Sequence, residues 1–121
     1  MIINSSKNQI TLYMDPESNK GKQTLAYALT FNVVINIVDI TKALFTGTQL
    51  LHFAALLSVS LEQLADSEKL LYKELMGKAK NFDDDDWITV LTKHPDLIRS
   101  PVAMMGTKAI IINTPTDIFQ L

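Results

Sequence analysis

Two short apolar runs separated by one helix-length segment constrain the fold of this chain more than any other feature. Ile10 to Met14 is rich in β-forming residues, and Val33 to Ile40 (VVINIVDI) is almost continuously apolar. Lys20 to Thr30, between them, has helical character. The helical side chains expected to face inward are Leu25, Ala26, Ala28 and Leu29. Strand, helix and strand in this order predict a right-handed parallel crossover. The continuous apolar run predicts that the second strand is buried on both faces.

The middle of the chain is predicted to be helical. The expected helices run over 48–59, from the capping box Ser60 to Gln63, over 68–76 and over about 84–93. Ser67 is expected to cap the third of these helices, and Gly77 is expected to end it. His94 and Pro95 are expected to end the fourth.

The last part of the chain returns to β structure. Pro101 to Met105 and Lys108 to Asn113 are separated by Gly106 and Thr107, a spacing typical of a tight antiparallel hairpin. Thr114 and Pro115 then predict a short terminal helix. Without the helical block, this order is the thioredoxin arrangement. We therefore predict an α/β fold with a four-stranded mixed sheet (β-α-β, helical insertion, β-β-α), as a single domain over 1–121 with the insertion at about 43–98.

Three segments resemble one known family, the ArsC-type arsenate reductases and their Spx-like relatives. Ile10 to Leu25 (ITLYMDPESNKGKQTL) resembles the family's opening, which contains N-P-x-C-S-x-S-R-x-T-L. Tyr72 to Leu75 (YKEL) is similar to a stretch between the ends, and His94 to Val102 (HPDLIRSPV) resembles H-P-x-L-I-x-R-P-I. The resemblance implies a redox or arsenate-reducing enzyme. Its cysteine would stand at the start of the first helix, where free N–H groups and the helix dipole lower a thiol pKa and bind an oxyanion.

The sequence departs from this family at the residues that carry the chemistry. Ser18 occupies the cysteine position, and Gly21 stands where C-x-x-C relatives have a second cysteine. Ser100 replaces the arginine before the proline, and Arg99, the only arginine in the chain, lies one residue earlier. Serine cannot enter thiol–disulfide exchange, and one guanidinium cannot build a pocket of several arginine forks. We therefore expect no catalytic residue.

A degenerate pocket remains as the candidate site. Its candidate residues are Ser18, Asn19, Lys20, Gly21, Lys22, Arg99 and Pro101. Ser18 is expected to be an N-cap, and it can also hydrogen-bond a ligand. Lys20 and Lys22 either flank an anion or are solvated surface lysines, and Arg99 either reaches the pocket or braces a loop. The resemblance places a cis-proline at Pro101.

Composition narrows the remaining function classes. The chain has no cysteine, which excludes disulfides and thiolate metal sites, and its net charge of −2 argues against a nucleic-acid partner. No apolar run approaches the roughly 18 residues of a membrane span. Residues 1–9 lack the basic start and apolar stretch of a signal peptide. We expect a cytoplasmic protein.

Two further segments invite a functional interpretation. Asp83 to Asp86 lack the alternating ligands of a calcium loop and are expected to begin a helix. His52 and His94 are not spaced as metal ligands, so we predict no metal and no resident cofactor. The stretch between Lys42 and Glu62 is uncharged and predicts core, with an apolar patch for a partner as the alternative.

The leading hypothesis is therefore an ArsC/Spx-family protein without thiol redox activity that binds a protein partner or a small anion. One alternative is an arsenate reductase that uses an external thiol such as glutathione. Another is a redox-independent, Spx-like partner of the transcription machinery. The oligomeric state is left open by the sequence.

Overall fold

The computed structural model describes residues 8–78 and 81–121. They form two compact units, the first reaching to Ala43 and resuming at Ser100–Leu121, the second spanning Leu44–Arg99. Residues 1–7, and with them most of the segment considered for a signal peptide, lie outside the described part. The single domain over 1–121 stays a prediction.

The first unit is a mixed sheet with one parallel crossover. Its elements are β1 (Gln9–Met14), α1 (Asn19–Ala28), β2 (Val34–Asp39), β3 (Val102–Met105) and β4 (Lys108–Ile111). The strand order is β2-β1-β3-β4; β1 and β2 are parallel, and the other pairs are antiparallel. The predicted four-stranded mixed sheet and its β-α-β and β-β-α halves are confirmed.

The strand buried on both faces is β1, not β2. Ile10, Leu12 and Tyr13 of β1 are fully buried, whereas Val34 and Ile37 of β2 are 64% and 52% exposed. The prediction for β2 was wrong because it lies at the edge of the sheet. A continuous apolar run marks a strand but does not distinguish a central position from an edge.

Helix α1 is shorter than predicted and turns a different face inward. It ends at Ala28, and a 3₁₀ turn, Leu29–Phe31, follows before Asn32 enters the left-handed region with φ 57°. Leu29 is 63% exposed, and Ala26 is also exposed, contrary to prediction. Ala28 belongs to the core between helix and sheet, and Leu25 packs against that core.

The closing hairpin forms as predicted, and the terminal helix differs in type. Gly106 has φ 63° in the two-residue turn that pairs Met105 with Lys108, a conformation that glycine adopts without steric cost. The terminal helix, Pro115–Gln120, is 3₁₀ and packs against α1. Its Phe119 ring lies 5.4 Å from the ring of Tyr27.

The second unit is helical. It contains α2 (Gly47–Leu57), α3 (Leu61–Leu64), α4 (Leu70–Lys78), α5 (Asp84–Lys93) and a 3₁₀ turn, Pro95–Leu97. Capping boxes begin α2 at Thr46, α3 at Ser60 and α5 at Asp83. The predicted Ser60 box and the end of α5 at His94 are confirmed, the latter by the His94 N–H that donates to the Val90 carbonyl at 2.8 Å.

Helix α4 differs from prediction at both ends. Ser67 lies in a turn closed by Asp66, whose carboxylate accepts the Glu68 N–H at 3.0 Å. The helix begins only at Leu70. Gly77 lies inside the helix and does not end it. Apart from its chain neighbours and the backbone of its own helix, no described atom lies within 4 Å of the place where a Gly77 Cβ would stand.

The two notable stretches of the second unit have structural roles. Asp83 caps α5, and the three following aspartates form its first turn, where carboxylates favour the positive end of the helix dipole. The uncharged stretch supplies core through Phe45, Leu50 and Phe53, yet Leu44 is 81% exposed. Among the residues that the structure describes, no helix has the length and apolar character needed to cross a bilayer.

Candidate functional site

The candidate site lies where β1 ends and α1 begins. After Met14 the chain passes through Asp15, Pro16 and Glu17 and enters the helix at Ser18. The Asp15 carboxylate accepts the Glu17 N–H at 2.9 Å, and the Asp15 carbonyl accepts the Ser18 N–H at 3.0 Å. These short-range bonds define the loop, so the position of Ser18 follows from local sequence.

Ser18 is the N-cap of α1, which confirms the capping interpretation. Its Oγ accepts the Gly21 N–H at 3.0 Å, and its hydroxyl donates to the Asp15 carbonyl at 3.0 Å. An N-cap hydroxyl satisfies one of the free N–H groups of the first turn. The same N–H groups would bind an oxyanion in the family site, and here one of them is already bonded.

Gly21 is required by a close approach of the loop. A Cβ at this position would stand 2.7 Å from Ser18 Oγ, 2.8 Å from the Asp15 carbonyl oxygen and 3.0 Å from Met14 Cε. Carbon atoms in folded proteins do not approach oxygen so closely without bonding. The position that carries the second cysteine in C-x-x-C relatives therefore has no space for a side chain in this loop conformation.

Pro101 lies at the same end of the sheet. The Ser100–Pro101 bond is cis, as the resemblance implies. Val102 is the register partner of Tyr13, so Pro101 lies beside the point where β1 enters the loop. The Pro101 carbonyl accepts the Ile112 N–H at 2.9 Å, which ties it to the closing hairpin. The structure thus brings Ser18 and Pro101 to one edge of the first unit.

Charges of both signs surround this edge. The end of β2 joins it, since Asp39 is the register partner of Met14. The charged residues of the first unit there are Asp15, Glu17, Lys20, Lys22, Asp39, Lys42 and Asp117. Four of these side chains are acidic and three are lysines, so the set does not form the positive patch that an oxyanion pocket needs.

Asp117 shows how the lysines are balanced. The Thr114 and Asn113 N–H groups donate to its carboxylate, each at 2.9 Å. They hold the pKa of Asp117 below its usual range, and the positive charge of Lys20 adds to the effect. Lys20, expected to flank an anion or to be solvated, is exposed, and its charge acts on this carboxylate of the terminal 3₁₀ helix. Lys22 and Asn19 are exposed.

Two residues of this edge were not singled out from the sequence. Thr41 donates its hydroxyl to the Asp39 carboxylate at 2.6 Å, and this bond is the main reason that the pKa of Asp39 is lowered. Burial of Tyr13 raises its pKa to about 12, so the phenol is neutral at physiological pH. The short D-x-T spacing at the end of a strand is a sequence signal for the bond between Thr41 and Asp39. Nothing in the sequence marks Tyr13 apart from other core aromatics.

Arg99 belongs to the second unit. Its backbone N–H donates to the Leu64 carbonyl at 2.8 Å, next to the bridge between Ala65 and Ile98. The backbone around Arg99 is therefore tied to α3, and the role of its side chain as a loop brace stays a prediction. Its contribution to an anion pocket stays a prediction.

The sheet order, the crossover and the cis-proline beside the first helix define the thioredoxin-like class of α/β proteins. Within that class, a sequence comparison matches residues 13–118 to the family described as ArsC. The chain belongs to the ArsC family, and it has no cysteine.

Solved structures agree with this fold. An arsenate reductase from Vibrio cholerae superposes with a TM-score of 0.84 at 19% identity, covering 95% of this chain and 98% of its own. A candidate arsenate reductase from Yersinia pestis also reaches 0.84, at 22% identity, covering 93% and 99%. An arsenate reductase related protein from Brucella melitensis reaches 0.72 at 19% identity, covering 93% and 96%. No functionally curated protein matches the chain.

Proposed function

We propose that this ArsC-family protein is a binding protein that uses the thioredoxin-like scaffold without thiol redox chemistry of its own. The observation that carries the proposal is the bonding of Ser18. The residue at the cysteine position has an oxygen in place of sulfur, and both of its hydrogen-bonding roles are directed to the backbone.

The direction of the Ser18 proton argues against nucleophilic catalysis. A serine becomes a nucleophile when an adjacent base takes its proton. Here the hydroxyl donates to the Asp15 carbonyl, and a carbonyl oxygen does not act as a base near neutral pH. Attack by Ser18 on arsenate would have to break this bond without gaining a proton acceptor from it.

The charge distribution favours a protein partner over a free oxyanion. The first-turn N–H of Gly21 is bonded to Ser18, and the charge of Lys20 is partly offset by the Asp117 carboxylate. An extended peptide of mixed charge can use the polar backbone of such an edge, whereas a doubly charged oxyanion needs an excess of donors and positive charge. We therefore take a protein segment as the ligand class.

An activity assay tests the absence of redox chemistry. We expect no arsenate-dependent oxidation of glutathione by the purified protein in the presence of glutaredoxin, above the rate without protein. Ser18→Ala should leave that background unchanged. Turnover by the wild-type chain that Ser18→Ala abolishes would contradict the proposal and establish the external-thiol reductase.

A titration tests the ligand class. We expect arsenate or sulfate to cause no saturable shift of the Gly21 amide resonance, because that N–H is already bonded. Lys22→Glu and the matched surface variant Lys69→Glu, in the other unit, should then behave alike. A saturable shift that is lost in Lys22→Glu and kept in Lys69→Glu would contradict a protein ligand and show that the site binds an anion. Capture of partners from the native host would follow with wild-type protein as bait.

A further inference from the structure

The outer edge of β2 is open within the described residues. β2 pairs with β1 on one side only, and it is terminal in the strand order. Val34 and Ile37 are 64% and 52% exposed, and Asn36 between them is exposed as well. An edge strand presents a row of free N–H and C=O groups that can pair with another strand.

Within the described residues, this edge has no lysine, proline or bulge to block pairing, and its one charged residue, Asp39, stands at the end of the strand. Soluble proteins place lysine, proline or a bulge on an exposed edge. Val33 to Val38 (VVINIV) has no charge, no proline and no glycine, and the register with β1 is continuous from Val34 to Asp39. The edge is therefore regular, and from Val34 to Val38 it is uncharged and apolar except for Asn36 at its centre.

The sequence of the strand is also symmetric. Val34 to Val38 reads V-I-N-I-V, the same in both directions, with Asn36 at its centre. If two copies of β2 lie antiparallel with Asn36 opposite Asn36, valine faces valine and isoleucine faces isoleucine. Apolar side chains directly opposite each other stabilise an antiparallel pair, and two opposed amides can bond mutually.

We propose that two copies of this chain associate through antiparallel pairing of their β2 edges, about a twofold axis that passes through Asn36. The two sheets then continue as one across the axis. This inference is independent of the proposed function, since it involves neither Ser18 nor Pro101.

The register follows from the central amide. In an antiparallel pair, residues whose N–H and C=O groups point toward the partner strand must stay opposite each other. The register can therefore shift only in steps of two residues. A neighbouring register places Asn36 opposite Val34 or Val38, and each amide then faces an apolar side chain. A polar group covered without a partner is unfavourable, so the symmetric register is preferred.

The size of the contact predicts a weak dimer. Stable protein interfaces bury about 1,200–2,000 Å², and one short strand pair buries less. We therefore expect an average mass that rises with protein concentration from the monomer toward the dimer.

Crosslinking is a direct test, because any cysteine introduced into this chain is its only one. In the symmetric register the Cα atoms of opposed residues 36 lie about 4.5–5.5 Å apart, within the range that a disulfide spans. Two residues 34 are offset by four positions, or about 13 Å. Under mild oxidation, Asn36→Cys should therefore form disulfide dimers roughly tenfold faster than the matched control Val34→Cys, at the same face of the same strand.

Sedimentation velocity supplies the second measurement. Asn36→Asp, which opposes two carboxylates on the axis, should move the monomer–dimer transition to higher concentration. Thr107→Asp, which adds the same charge in the exposed hairpin turn, should leave it unchanged. A monomer mass at every concentration, or equal crosslinking of Asn36→Cys and Val34→Cys, would overturn the proposal.

Discussion

Gly21 and Gly77 both lie in helices, and alanine should have opposite effects at the two positions. In an open helical position, alanine is favoured over glycine by roughly 0.5–1 kcal/mol. A Cβ at Gly77 meets no described atom within 4 Å outside its chain neighbours and its own helix backbone, so Gly77→Ala should raise the free energy of unfolding by about that amount.

At Gly21 the same change should destabilise the protein. The added Cβ would lie 2.7 Å from Ser18 Oγ and 2.8 Å from the Asp15 carbonyl oxygen, and forcing an extra carbon into a packed site costs about 1–3 kcal/mol. The gain in helix propensity offsets part of this, and the middle of the two ranges leaves a net loss of about 1 kcal/mol.

A double-mutant cycle separates the contact with Ser18 from the contact with the backbone. Ser18→Ala alone should cost about 1 kcal/mol through loss of the cap. It also removes the oxygen nearest to the new Cβ, so the double variant should be destabilised by about 0.5–1 kcal/mol less than the sum of the single changes. The Asp15 carbonyl remains, so the relief should be partial.

Urea unfolding followed by far-ultraviolet circular dichroism measures all four proteins, with the slope of the transition as a check on comparable unfolded states. Equal or greater stability of Gly21→Ala than of wild type would show that the loop does not approach the helix as described. Strict additivity in the cycle would refute the contact between Ser18 and position 21.

Three other results are expected. Ser18→Cys places a thiol at the helix N-terminus and should titrate below the free value of about 8.5 in thiolate absorbance, whereas the exposed control Ser67→Cys should not; equal values would contradict the helix-start environment. Asp117→Asn should destabilise the protein at pH values above the unfolded aspartate pKa of about 3.9. The difference in unfolding free energy from wild type should shrink as the pH falls through the lowered pKa of the folded carboxyl, because the stabilisation requires the charged form. A difference that grows on acidification would contradict this prediction. Trp87→Ala should cost about 3–5 kcal/mol in urea unfolding, since Trp87 is 1% exposed and packs against Tyr72 and Phe82, and a loss below about 1 kcal/mol would contradict that packing.

The order of elements could be predicted because the signals for it are local. The Ser60 capping box, the Gly106-Thr107 turn and the apolar runs each lie within a few residues of the structure that they specify. The position of β2 at the edge could not be predicted in this way, because edge and centre depend on which strands pair. Gly77 shows the same limit, since a glycine ends a helix only where its surroundings favour leaving it.

The candidate site also combines features that follow from local sequence with features that depend on contacts between distant residues. The capping role of Ser18 follows from its place before a helical segment, and the structure has the expected bond to Gly21. The opposition of Lys20 and Asp117 joins residues far apart in the chain. The space around Gly21 depends on the path of the Met14 and Asp15 backbone. Neither leaves a pattern in the sequence.

The crowding at Gly21 means that a cysteine could be introduced more easily at position 18 than at position 21, the two positions that are cysteines in C-x-x-C relatives. Position 18 accepts a new nucleophile through one exchange of oxygen for sulfur, on a scaffold that already orients it. A resolving partner at position 21 would first require the Asp15 carbonyl to move away. Any descendant of this protein that regains reactivity should therefore do so as a single-thiol enzyme that depends on an outside reductant, and not as a self-contained dithiol switch.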